Sequence, residues 1–244
     1  MDRKKFLLSA TVAVAGFSFP GVIRALGRQV PQPAGDVVVF NSGVSGNNSN
    51  NLLVRLQADC ISYKPALTII MIGTNDMCNG KHVTPEKFGQ NLEKLIATIT
   101  AAGSKVLLLS ILPFYEPYFL TRHPADFFAP EGPAGKRTGM NTVIKAAAEK
   151  YQTSFFDVGN LFEKVGKVGT DQDSLIRNEV NSGKTDGVHP TPNGYRFLAL
   201  AISQFIQYHQ LPTSRIVCFG DSITRGDGSV DHESYPAYLK KLLS

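Results

Sequence analysis

The sequence predicts an α/β protein, a three-layer α/β/α sandwich built on a five-stranded parallel sheet. Five short apolar runs, at about residues 36–40, 66–72, 105–112, 154–158 and 215–219, are bounded by turn-forming residues and read as buried strands. Stretches with apolar residues at helical spacing lie between them. Alternation of this kind implies parallel pairing, with helices covering both faces of the sheet. At 244 residues, with 43% hydrophobic and 18% charged residues, the chain suits one well-buried globular domain.

The first 28 residues stand apart from that domain. Asp2-Arg3-Lys4-Lys5 is a charged start, Phe6 to Phe19 carries no charge, and small residues follow near Ala25-Leu26-Gly27. This pattern predicts a signal peptide over about 1–28, with 29–244 as a single domain exported to the periplasm or secreted. The apolar run is short for a membrane span, which needs about 20 residues, so no stable membrane insertion is expected after signal removal. An uncleaved anchor is the alternative. The same segment explains the formal charge of +5: without its five bases and single acid, 20 bases face 19 acids. No basic patch able to hold a phosphate backbone is left, and no nucleic-acid partner is expected.

Within the domain, residues 29–35 read as a linker and 36–40 as the first strand, followed by the loop Asn41 to Ser49. A helix carrying Leu52, Leu53, Leu56 and Cys60 on one face ends at Pro65. The second strand, Ala66 to Ile72, runs into Gly73-Thr74-Asn75-Asp76. Thr84-Pro85-Glu86 caps a helix that stops near Gly103. The third strand is broken by Pro113, and 113–135 reads as a long loop whose Phe114, Tyr115, Tyr118 and Phe119 are either wall or core. A helix through Val143 to Tyr151 precedes the fourth strand, and a mixed segment 160–185 follows. The helix at about 193–209 is expected to bury Phe197, Leu198, Ala201, Ile202 and Phe205. Pro212 separates it from the last strand, and Tyr235 to Leu243 forms a closing helix. Of three cysteines, Cys218 reads as a buried thiol, while a bridge between Cys60 and Cys78 is left open by the sequence.

Candidate chemistry gathers in the loops that follow strands. Gly220 permits a sharp turn after the last strand, so that Ser222 stands at its carboxyl end, where parallel sheets carry their sites. Asp186 and His189, three apart in a loop stiffened by Pro190 and Pro192, allow the carboxylate to hold Nδ1 and leave Nε2 free to take a proton. Gly43 and Gly46 follow the first strand without the Gly-Lys-Ser/Thr of a phosphate loop. Their alternative use is to present an unobstructed backbone N–H to an oxyanion, which the Asn75 amide would also reach. Asp76, Cys78 and His82 lack recognisable metal-ligand spacing and read as loop residues; no metal is expected.

Together these stretches resemble the SGNH/GDSL hydrolase superfamily. Gly220-Asp221-Ser222-Ile223 is similar to its nucleophile block, and Asn41-Ser42-Gly43-Val44-Ser45-Gly46 to its glycine block. Gly73-Thr74-Asn75-Asp76 is similar to the asparagine block, and Asp186-Gly187-Val188-His189-Pro190 to the Asp-x-x-His block. The resemblance implies a flavodoxin-like fold and a serine esterase needing no cofactor. It further implies Ser222 as nucleophile, His189 as base, Asp186 as orienting acid, and an oxyanion hole from Ser222, Gly46 and Asn75. A small-molecule or glycan ester is the implied substrate, with removal of O-acetyl groups from carbohydrate the leading expectation. Lipase, lysophospholipase or thioesterase activity is the alternative, as is a non-catalytic carbohydrate-binding protein of the same fold. In the family the serine block comes first; here it comes last, an order that reads as a circular permutation.

Overall fold

The computed structural model describes residues 37–244, so the predicted signal segment and linker lie outside the described residues. The five predicted strands are present: β1 (Val38–Gly43), β2 (Leu67–Met71), β3 (Lys105–Leu109), β4 (Ser154–Phe156) and β5 (Arg215–Gly220). They form one parallel sheet in the order β1-β5-β2-β3-β4. The last strand in the chain is therefore interior, paired on both sides. Gly220 at its end is level with Gly43 of β1 and Met71 of β2, so three loops leave the sheet side by side.

The helices are α1 (Ser49–Asp59), α2 (Pro85–Ala101), α3 (Glu116–Leu120), α4 (Gly132–Lys150), α5 (Val158–Val165), α6 (Glu179–Ser182), α7 (Pro192–Tyr208), α8 (Ser222–Arg225) and α9 (Tyr235–Leu243). Period-two alternation along the strands makes a core on each face. Val217 and Phe219 of β5 face the side covered by α1, α2 and α4, while Ile216 and Cys218 face α7 and α9. Both sides are apolar, which is why the strands read as continuous hydrophobic runs. No helix among the described residues is long and apolar enough to cross a membrane.

The structure departs from the sequence reading in several places. The stretch 113–135 is not one loop: it contains α3 and a 3₁₀ turn at Ala125–Phe128, and α4 begins at Gly132, well before Val143. The early turns of α4 escape periodicity because their buried residues, Pro133, Arg137 and Met140, include a charged one. Arg137 is accommodated by an ion pair with Glu163 and a bond to the Ile111 carbonyl. On α7 the buried face is Tyr195, Leu198, Ala199, Ile202, Ser203 and Ile206. Phe197 and Phe205 sit on its flank, against Phe162 and Phe156, and Ala201 is half-buried. Phe119 is core and Phe114 stacks on it at 4.4 Å. His123 is half-buried between Phe119 and Phe128. All three cysteines are free and buried, so the Cys60–Cys78 bridge does not form. Burial pushes the Cys60 thiol up to about 11 and Cys78 to about 12, which leaves them poor nucleophiles.

Candidate active site

The site is built where β1, β2 and β5 end. The Gly220 carbonyl accepts the Val44 N–H at 3.1 Å and Arg55 Nη2 at 2.7 Å, which fixes the end of β5. Asp221 then caps α8, accepting the Ile223 N–H at 2.9 Å, and Ser222 is the first residue of that turn of helix. The adjoining end of β1 approaches this helix so closely that a Cβ on Gly43 would lie 2.1 Å from the Arg225 backbone nitrogen. Only glycine fits there. Gly46, at φ +80°, takes a left-handed backbone in the loop after β1, with Lys81 Nζ 2.6 Å from where a Cβ would lie.

The Asp186–His189 loop is held against a second segment. Arg177 donates its N–H to the His189 carbonyl and accepts that of Gly187, both at 2.9 Å, next to a bridge between Ile176 and Pro190. Thr191 caps α7 immediately afterwards, with Pro192 in the first turn. Tyr115 and Tyr118 of the aromatic cluster pack over Gly187, and the Tyr115 N–H donates to the Gly187 carbonyl at 2.7 Å. They brace the loop from outside.

Within this frame Asp186 Oδ1 accepts the N–H groups of Val188 and His189, each at 3.0 Å. His189 Nδ1 lies 3.0 Å from both carboxylate oxygens, and Nε2 lies 3.0 Å from Ser222 Oγ. A carboxylate only accepts, so Nδ1 carries the proton and Nε2 is free to accept from the serine hydroxyl. Burial works against the Asp186 charge, but hydrogen bonding to His189, its charge and two backbone donors outweigh it. The carboxyl is held well below the usual range. Ser222 and the Asp186–His189 loop, 33 residues away along the chain, thus stand in one hydrogen-bonded line.

Asn75 reaches the loop that carries Gly46. Asn75 Nδ2 donates to the Asn47 carbonyl at 2.9 Å, tying the loop after β2 to the glycine loop. That bond uses one of its two amide hydrogens. Asp76, Cys78 and His82 face different partners: the Ser49 N–H, the Thr74 carbonyl and the Asp76 carbonyl. Three arginines escaped sequence reasoning. Arg55 braces the end of β5, while Arg122 Nη2 meets the Asp186 carbonyl at 2.5 Å and Arg177 Nη1 meets Asp186 Oδ2 at 3.3 Å. None belongs to a motif, and no local signal could have singled them out.

Two further acids lie under the site. Burial pushes Asp221 up to about 7 against the bond from Ile223, and Asp76 up to about 6 against its bonds from Ser49. Asp76 Oδ2 is buried with no partner among the described residues. Each binds its proton more tightly in the folded chain than in the unfolded one. The stabilisation is full below an unfolded value of about 4 and is lost as pH rises through the folded values. Asp186 has the opposite sign, losing its contribution only as pH falls below that range. The unfolding temperature is therefore expected to decline between about pH 4 and pH 7. Asp221→Asn, which keeps an acceptor for Ile223, should flatten the decline. An equal slope in the variant would contradict this assignment.

A parallel α/β/α sheet with a serine, histidine and aspartate hydrogen-bonded at its carboxyl edge is the arrangement of an α/β hydrolase. The model of the GDSL-like lipase/acylhydrolase family matches residues 10–197, and the chain belongs to that family of ester-cleaving enzymes. It is 29% identical over 178 residues to the uncharacterized lipoprotein YqeF of Bacillus subtilis, covering 67% of this chain and 71% of that one. To an acetylxylan esterase of Geobacillus stearothermophilus it is 26% identical over 190 residues, 74% of this chain and 77% of that one. The solved acetyl xylan esterase AlAXEase shares the fold at a TM-score of 0.54 and 21% identity, over 68% of this chain and 79% of that one.

Proposed function

We propose that the chain is an exported serine esterase that removes O-acetyl groups from carbohydrate through an acyl-enzyme. The observation that carries this reading is the line from Ser222 Oγ through His189 to Asp186, at 3.0 Å per step. His189 Nε2 takes the Ser222 proton as Oγ bonds to the ester carbonyl carbon. The carbonyl oxygen, now negative, is met by the N–H groups of Ser222 and Gly46 and by the Asn75 amide. Collapse breaks the bond to the leaving alcohol, which departs with the proton held on His189. Water then attacks the acyl carbon and gives its proton to His189. The acid leaves and Ser222 recovers its hydrogen, for a net reaction of ester plus water to acid plus alcohol.

Asn75→Ala is expected to lower kcat by roughly a hundredfold or more with little change in KM, because a bond to an oxyanion strengthens in the transition state. A change confined to KM would make Asn75 a holder of the Asn47 loop and no more.

Acetylated carbohydrate as substrate is supported by the acetylxylan esterases among the similar proteins. Export is supported by the charged start and apolar run before residue 28 and by the similarity to a lipoprotein. A circular permutation is supported by β5, last in the chain, lying between β1 and β2. The family match ending at residue 197, short of the Ser222 block, fits that block having moved to the other end. Turnover of p-nitrophenyl acetate, then of acetylated xylan against longer acyl esters and lysophospholipid, tests the reading. Preference for acetyl-glycan is expected. Faster turnover of lysophospholipid would make this a lysophospholipase, and binding of glycan without turnover would make it a binding protein.

A further inference from the structure

We propose that Arg177 is a positioning residue for this reaction, its guanidinium holding the Asp186 oxygen that also faces His189 and tempering the carboxylate's pull on the imidazole. The inference rests on the Ser222–His189–Asp186 reading and goes beyond it.

Arg177 is held twice. Its backbone pairs with both Gly187 and His189, so its position relative to the histidine loop is set by main-chain bonds. Its side chain, 15% exposed, puts Nη1 3.3 Å from Asp186 Oδ2, the oxygen that also faces His189 Nδ1. The guanidinium rests on Gly228, beyond α8. A Cβ at Gly228 would lie 2.6 Å from Arg177 Cδ and Nη1, so the backbone there forms its seat. Arg177 thereby joins the histidine loop to the segment that follows the nucleophile's helix.

This arrangement is expensive as a purely structural brace. Arg177 Nε is buried without a partner among the described residues, and a buried ion pair often contributes little net stability. Its electrostatic effect is specific. The Asp186 charge favours the imidazolium, the form of His189 that cannot accept the serine proton. A cation on Oδ2 offsets part of that field. The other charged and titratable groups facing this line are Arg122 on the Asp186 carbonyl, Asp221 beneath Ser222, Asp227 after α8, and the Tyr195 hydroxyl, which donates to the Asp227 carbonyl. Arg177 is the one among them in ion-pair contact with the Asp186 carboxylate besides His189.

The test compares Arg177→Met and Arg177→Lys in the full chain by kcat/KM against pH on p-nitrophenyl acetate. In Arg177→Met the acidic limb should move up by about half to one pH unit, and kcat at pH 7 should fall about tenfold with KM unchanged. Arg177→Lys should keep the limb near its original pH. An unmoved limb in a folded Arg177→Met, or a lysine variant that behaves like it, would overturn the proposal. If Arg177→Met does not fold, Gly228→Ala serves instead: its methyl displaces the guanidinium, and an unmoved limb again overturns the proposal. Ser222→Ala, run beside them, separates the two layers. Turnover surviving in that variant sinks the underlying reading, whereas a Ser222-dependent enzyme with an unmoved limb sinks only the role of Arg177.

Discussion

Ser222→Ala is expected to lower kcat for ester hydrolysis by about 10⁴- to 10⁶-fold while leaving the thermal unfolding temperature within a few degrees. The hydroxyl oxygen supplies the bond-forming atom, and no other nucleophile in the site stands at hydrogen-bond distance from His189 Nε2 among the described residues. Its loss removes a single half-buried oxygen, whereas the α8 cap and the Gly220 bonds are made by other atoms. His189→Ala should cost nearly as much, because members of such a line act as a unit and their losses do not add. Asp186→Asn should cost less. Kinetics on all three, with circular dichroism to verify folding, would check this. Turnover retained in a clean preparation of Ser222→Ala would exclude Ser222 as nucleophile.

Deleting residues 212–244 is expected to produce an aggregating chain rather than a folded, inactive one. The segment contributes β5, paired on both sides, and with it the buried side chains Ile216, Val217, Cys218, Phe219, Ile223, Tyr235, Leu239 and Leu243. At about 2 kcal/mol for each large apolar side chain, their loss is as large as the whole ~5–15 kcal/mol of net stability of an ordinary domain. It would also split β1 from β2 and leave two strand edges unpaired. Moving the same segment ahead of Gly35 should preserve both fold and activity, with Ser244 joined through a few flexible residues. Helix α9 packs on α7 and β1, so the join closes an ordinary strand–helix–strand crossover. A deletion variant that stays soluble and unfolds cooperatively would show β5 to be peripheral and the permuted reading wrong.

The strands were legible because their signal is local. Runs such as Leu67 to Met71 are apolar on both faces and bounded by turn residues, and the pattern survives whatever the partner. A helix end was legible where capping chemistry is written in the chain, as at Thr84-Pro85. The Thr191 cap of α7 was not, because Pro190 and Pro192 beside it also signal a stiffened loop. Elements whose inner face mixes apolar and polar residues were not. Arg137 interrupts the period of α4, and Tyr195, Ala199 and Ser203 make a buried face on α7 that large aromatics at 197 and 205 disguise. The candidate site divides in the same way. Ser222, Asp186, His189, Gly46 and Asn75 are residue types at fixed spacings beside strand ends, so the chain displays them. Arg55, Arg122 and Arg177 act on backbone carbonyls or on a carboxylate brought near by folding, and Arg55 reaches a carbonyl 165 positions away. Only coordinates reveal contacts of that kind.

Labelling with a fluorophosphonate, followed by peptide mass spectrometry, tests the central claim most directly. Such a reagent forms a lasting bond only with a serine whose oxygen is activated by a neighbouring base and whose adduct is held by oxyanion donors. One adduct per chain is expected, on the peptide containing Ser222, with loss of esterase activity in proportion to labelling. It should vanish in Ser222→Ala and form far more slowly in His189→Ala. Stoichiometric labelling at another serine, or a fully active enzyme after Ser222 is labelled, would contradict the account.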